Sequence, residues 1–227
     1  MRAATRPAAF TLIELLVVIS IILLLAALAV PVLSQAARQG RTARCVVNVK
    51  QMGAAFVQYA NDHDGLLPNT YHYYTRSGAL SDTPTWMQGK PRDMTNCPQA
   101  GQLWPYYRDA GLVLCPSDRD KGNLVFSYSG PVFISHRMLE QADNPSEALL
   151  VLGEHEEYHI GLPRNPGDMR SVEAGFGSID RPAVRHGTKT PSGFFDGQAR
   201  LVEYQWGFTA YDVEIPPWGF NTYYHRP

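Results

Sequence analysis

Three sets of residues have types and spacings suited to chemistry. His155-Glu156-Glu157-Tyr158-His159 places two imidazoles four residues apart with carboxylates between them. On a helix, both rings would fall on one side and hold zinc, with Glu156 as general base for hydrolysis. His186 precedes Asp196-Gly197 by nine intervening residues, a His–Asp couple. Glu14 is the one formal charge in the aliphatic run from Leu12 to Leu33, which only Ser20 and Pro31 otherwise interrupt. A carboxylate inside a run long enough to span a bilayer is costly and implies a compensating partner.

Each set depends on the element that positions it. Gly161 and Pro163 close the His155–His159 stretch at once, leaving room for barely two helical turns. A third ligand is weak, since Glu173 is only loosely placed for it. The stretch is therefore expected to be a polar loop with no metal assigned, and a membrane-anchored zinc hydrolase using His155, Glu156 and His159 is the alternative. His186 and Asp196 lack an identifiable nucleophile, so His186 is expected to hydrogen-bond within the hairpin that Asp196-Gly197 turns. Asp-Gly between Phe194-Phe195 and the run from Ala199 to Tyr204 is a strong hairpin signal.

The chain has 227 residues and a formal net charge of -1, so no basic field points to nucleic acid. Aromatics make up 11%, alongside 17 Pro and 19 Gly, as in a loop-rich extracytoplasmic head. Three Cys are present. Cys97 and Cys115 each precede Pro in loop-rich sequence, whereas Cys45 sits in a helical pattern. The economical pairing is Cys97–Cys115, which requires an oxidising compartment, although spacing alone does not decide it.

After the apolar run, Cys45, Val49, Met52, Phe56 and Tyr59 recur at steps of four and three, one face of a helix. Asn61-Asp62-His63-Asp64-Gly65 ends it, and Pro68 prevents its return. Asp62 and Asp64 are read as a solvated turn rather than a calcium loop. Leu103 to Tyr107 reads as a short helix or turn. Leu112 to Asp118 reads as a short buried run entering a turn. Leu124 to Ser129, Glu147 to Leu152 and the hairpin supply strands. A long helix followed by short antiparallel strands makes the fold class α+β. The aromatic stretch from Trp206 to Pro227 is either a flap on the sheet or an exposed surface, for instance for carbohydrate.

The N-terminal end admits two ordinary targeting readings: a signal peptide cleaved after Ala27-Leu28-Ala29, leaving Val30 first, or an uncleaved anchor. Glu14 fits neither. Phe10-Thr11-Leu12-Ile13-Glu14-Leu15-Leu16, behind a short leader bearing Arg2 and Arg6, closely resembles type IV prepilins and type II secretion pseudopilins. The resemblance implies cleavage between Ala9 and Phe10 by a prepilin peptidase, with N-methylation of Phe10. The family usually has Gly where this chain has Ala9. It further implies that Glu14 meets the Phe10 ammonium of a neighbouring subunit during assembly, and that Pro31 lies where pilin helices loosen.

His186 with Asp196-Gly197 resembles a C-terminal His-x9-Asp-Gly signature of pilin-like proteins from planctomycete-type bacteria. Gln51-Met52-Gly53, Tyr59-Ala60-Asn61-Asp62 and Cys115-Pro116-Ser117-Asp118 look like theirs as well. The expectation is then a structural, non-enzymatic pilin-like subunit without cofactor. It comprises a leader (1–9), a transmembrane and assembly helix (10–33), an amphipathic continuation (34–62) and an extracytoplasmic head (63–227). Its partners would be the prepilin peptidase, other pilin or pseudopilin subunits and the inner membrane, with no nucleic acid.

Overall fold

The computed structural model describes residues 10–70, 83–87, 89, 97–118, 126–131, 134–135, 137–142, 144–153, 175–176 and 185–203. Two compact units result, residues 1–40 and 41–227. Helix α1 is Leu12–Asp62, and it continues through Pro31. Its first part is long and apolar enough to cross a membrane and is wholly exposed. The periodicity explains the contrast with residues 41–62. There Cys45, Val49, Met52, Phe56 and Tyr59 are all buried, as their spacing predicts, together with Asn48 and Ala60. Asp64 and Gly65, both at positive φ, end the helix. Gly65 donates from N to the Ala60 carbonyl at 2.7 Å, satisfying a helix-end acceptor.

Among the described residues five strands form one sheet in the order β3-β1-β2-β4-β5, where β1 is Tyr128–Pro131, β2 Leu149–Gly153, β3 Gly175–Phe176, β4 Lys189–Phe194 and β5 Ala199–Glu203. Along β1, β2, β4 and β5 each strand is antiparallel to its neighbour, and β3 joins β1 in parallel at the edge. The fold is therefore α+β, a pilin-like arrangement of a long N-terminal apolar helix and a C-terminal antiparallel sheet. The predicted hairpin forms: β4 and β5 pair through five residues a side, and Gly197 takes φ +80° in the turn. Only the end of the predicted Leu124–Ser129 strand falls in β1, and residues 124–125 lie outside the described residues.

β2 is buried along its whole length. A register irregularity between Leu149 and Val151 lets Leu150 and Val151 both join the main core. That core gathers the buried stripe of α1 with Trp86, Leu103, Tyr128, Ile134 and Phe195, and Phe56 packs its ring 5.1 Å from that of Trp86. Each such large side chain contributes about 1.5–3 kcal/mol on burial. Gly193 on β4 lets the sheet approach α1. A methyl there would lie 2.9 Å from side-chain atoms of Val49 and of Val151. Helix α2, Trp104–Tyr107, confirms the short helix expected there, and Leu112 and Val113 are buried in a 3-10 turn.

The disulfide corrects the sequence expectation. Cys115 bonds not to Cys97 but to Cys45, across a sequence separation of 70 and a Cα–Cα distance of 5.4 Å. Cys97 remains a thiol, and burial pushes its pKa up to about 12, which makes it inert. Closing a loop of that length stabilises the folded chain by about 4 kcal/mol in the chain-entropy model. Cys45→Ser is expected to lose about that much, and so is reduction of the wild type. Thermal unfolding of the detergent-solubilised chain with and without reductant measures it, whereas a Cys97→Ser chain should melt close to wild type.

Candidate functional site

At the N-terminal end the first turn of α1 organises Glu14. Thr11 donates to Glu14 Oε2 twice, from its backbone N at 2.9 Å and from Oγ1 at 2.7 Å. Glu14 N returns a hydrogen bond to Thr11 Oγ1 at 3.3 Å. This is a reciprocal capping box, and it places a carboxylate at the helix end where the backbone N–H groups favour negative charge. Thr11 was not among the residues singled out for chemistry, yet Thr-x-x-Glu before an apolar run is its signature. Phe10 is 72% exposed. Ala9 lies outside the described residues, as do His155, Glu156, Glu157, Tyr158, His159 and Glu173 and the aromatic stretch from Trp206.

The second site lies in the head, around the disulfide. Cys45 is fully buried on α1, and Cys115 is 3% exposed in the loop that follows the Ala110–Val113 turn. Asn48, one helical turn beyond Cys45, donates from Nδ2 to the Leu114 carbonyl at 3.2 Å. Helix and loop are therefore joined by a covalent bond and a hydrogen bond side by side. His186 reaches the same place. Its Nδ1 lies 2.9 Å from Thr42 Oγ1 and its Nε2 3.6 Å from Cys115 Sγ. The backbone of His186 bridges to Lys189 at the start of β4, which aims the ring toward α1.

His186 thus does not fix the hairpin turn, as the sequence suggested. The Asp196 carboxylate instead accepts from Gln198 N at 2.9 Å, and its backbone N donates to the Pro145 carbonyl. Asp196-Gly197 makes the turn as expected, while His186 serves a contact with α1 that only the tertiary fold creates.

Behind the disulfide runs a buried polar chain. Cys115 N donates to Ser127 Oγ at 3.0 Å, and Ser127 Oγ donates to Asp118 Oδ2 at 2.9 Å. Arg185, the neighbour of His186, pairs with the same Oδ2 at 3.0 Å and reaches the Ser127 carbonyl at 3.4 Å. Asp118 is almost fully buried, and its Oδ1 has no hydrogen-bond partner among the described residues. The Cys115–Asp118 run and the Arg185-His186 pair, 67 residues apart between Asp118 and Arg185 by numbering, meet here. Sequence inspection gave Asp118 and Arg185 no role, because nothing local marks an ion pair at that separation.

Burial, and next the charge of Arg185, lowers the pKa of His186. Its neutral ring is therefore the folded form. Cys45 Sγ, Cys115 Sγ and a His186 ring nitrogen lie within 4.8 Å of one another, a donor set of the kind that soft cations take.

Two outcomes follow for stability. Arg185→Gln strands the buried Asp118 charge and should cost about 3–5 kcal/mol in chemical denaturation. Because the folded pKa of His186 is lowered, the unfolded chain binds its proton first as pH falls. Its contribution is complete above the ordinary value of about 6.5 and is lost below it. Melting temperatures taken from about pH 7.5 down to about pH 5.5 should therefore fall more steeply in wild type than in His186→Gln. Equal slopes would remove the ring from the titration.

Comparison with known proteins bears on the first of these sites. No curated protein and no solved structure matches the chain. Residues 5–30 match the family model described as the prokaryotic N-terminal methylation motif. The match spans Phe10, Thr11 and Glu14 and most of the apolar run. The chain therefore carries a prepilin-type N-terminal methylation motif at the head of a long, exposed apolar helix.

Proposed function

We propose that this chain is a structural pilin-like, pseudopilin-type subunit of a type II secretion or type IV pilus-like assembly. The match of residues 5–30 to the methylation motif carries this reading. A prepilin peptidase cuts between Ala9 and Phe10 and methylates the new amino terminus. The segment from Phe10 to Leu33 anchors the subunit once through the inner membrane, with the head outside the cytoplasm. A disulfide in the head agrees with that side, since such bonds persist in oxidising compartments.

Glu14 then has two successive partners. Before assembly its carboxylate is satisfied by Thr11 within the same turn. On assembly the methylated ammonium of Phe10 from a neighbouring subunit replaces or joins that contact, because a carboxylate moved into lipid needs a charge to compensate it. The apolar faces around it, Leu12, Ile13, Leu15 and Leu16 among them, are more than half exposed and supply the packing surface. Other pilin or pseudopilin subunits are the partners, and no catalytic step is assigned to the chain.

Co-expression with a prepilin peptidase should yield a mature chain beginning at Phe10 and heavier by one methyl group, read by mass spectrometry of the intact protein. A terminus at Met1 or Val30 would overturn the proposal. Glu14→Val should leave cleavage intact while abolishing incorporation into cross-linkable assemblies.

A further inference from the structure

The buried cluster of Cys45, Cys115 and His186 has a geometry that a disulfide alone does not require. An ordinary tetrahedral zinc site holds sulfur at about 2.3 Å and imidazole nitrogen at about 2.05 Å, which sets sulfur and nitrogen about 3.6 Å apart. His186 Nε2 stands 3.6 Å from Cys115 Sγ. Its other nitrogen lies 2.9 Å from Thr42 Oγ1. When Nδ1–H donates there, the Nε2 lone pair faces the sulfurs, which is how metal-bound histidines are usually held by an outer partner. Both cysteines are buried, so their thiolates would be shielded from competing solvent.

We propose that the dithiol form of this chain binds one zinc ion through Cys45 Sγ, Cys115 Sγ and His186 Nε2, with Thr42 positioning the ring. Disulfide and metal site are alternative fates of the same two thiols, which the chain carries when it is synthesised. Binding releases the two thiol protons: the dication and two thiols become a neutral zinc dithiolate and two protons. Because two thiolates cancel the dication, Arg185, already paired with Asp118, meets no added positive charge. Tetrahedral ligation needs the sulfurs about 3.8 Å apart. Reduction and a change of side-chain rotamer at Cys45 supply that opening and leave the 3.6 Å between Cys115 and His186 in place. One coordination position is left for water or an outside ligand. This proposal is independent of the assembly function, and its failure would leave that function untouched.

The test uses the full-length chain in detergent with Cys97→Ser, so that two thiols remain. A phosphine reductant converts the disulfide and one water to two thiols and the phosphine oxide. Cobalt titration should then give one ion per chain, with thiolate-to-cobalt charge transfer and tetrahedral visible bands that zinc discharges. Zinc should protect Cys45 and Cys115 from maleimide, read by peptide mass. His186→Gln should weaken binding by more than the roughly 10–100-fold expected of an outer partner, and Thr42→Val by about tenfold. A His155→Gln, His159→Gln double variant should bind as tightly as its parent.

The proposal fails if the reduced chain takes up no stoichiometric metal, or if zinc leaves the alkylation rate unchanged. It also fails if the oxidised chain binds equally well, or if the His155/His159 variant, rather than His186→Gln, loses the metal. Should His186→Gln not fold, thiol protection in its parent decides the matter alone.

Discussion

The head depends on one covalent constraint, the bond between Cys45 on α1 and Cys115 in the loop beyond the Ala110–Val113 turn. Past the end of α1, the described residues before Cys115 include α2 and the Ala110–Val113 turn and no strand, so they have little ladder hydrogen bonding of their own. Such segments hold their shape only when tied to something rigid. Here the rigid partner is residues 41–62 of α1, and the tie is doubled by Asn48 and completed by the Thr42–His186 contact. Tyr59 accepting from Gln102, and Asp62 accepting from Tyr106, extend the same attachment toward the helix end.

Around this tie the polar groups are arranged in a connected sequence. Ser127 links the Cys115 backbone to Asp118, and Asp118 balances Arg185. A buried ion pair of this kind contributes little over an apolar pair of equal volume, since desolvation offsets the attraction. Its value lies in specificity: Arg185 can be buried beside Ser127 only where Asp118 is already placed. The residue after it, His186, is thereby set against Cys115 and Thr42. One pairing thus positions the next.

The N-terminal end obeys a different constraint. Glu14 is exposed on an apolar helix, and its own first turn satisfies it through Thr11. The same carboxylate is thereby held in order by hydrogen bonds within a single turn. Local sequence suffices to build such a device, because all its members lie within four residues. The head has no such shortcut. Its cysteines are 70 residues apart in sequence, and its ion pair is nearly as far.

That difference separates what could be read in advance from what could not. By itself the sequence determined the long apolar helix, its buried stripe at Cys45, Val49, Met52, Phe56 and Tyr59, the turn at Asp64-Gly65 and the Asp196-Gly197 hairpin. Each follows from periodicity or from backbone preferences that act within a few residues. It also determined the methylation motif, which is a linear pattern. Only the tertiary structure decided that Cys115 bonds to Cys45 rather than to Cys97, and that His186 faces α1 rather than its own hairpin. Two cysteines can bond only when the fold brings their Cα atoms within about 7 Å. The sheet, by laying β4 beneath α1, brings His186 and Cys45 to one place and leaves Cys97 aside.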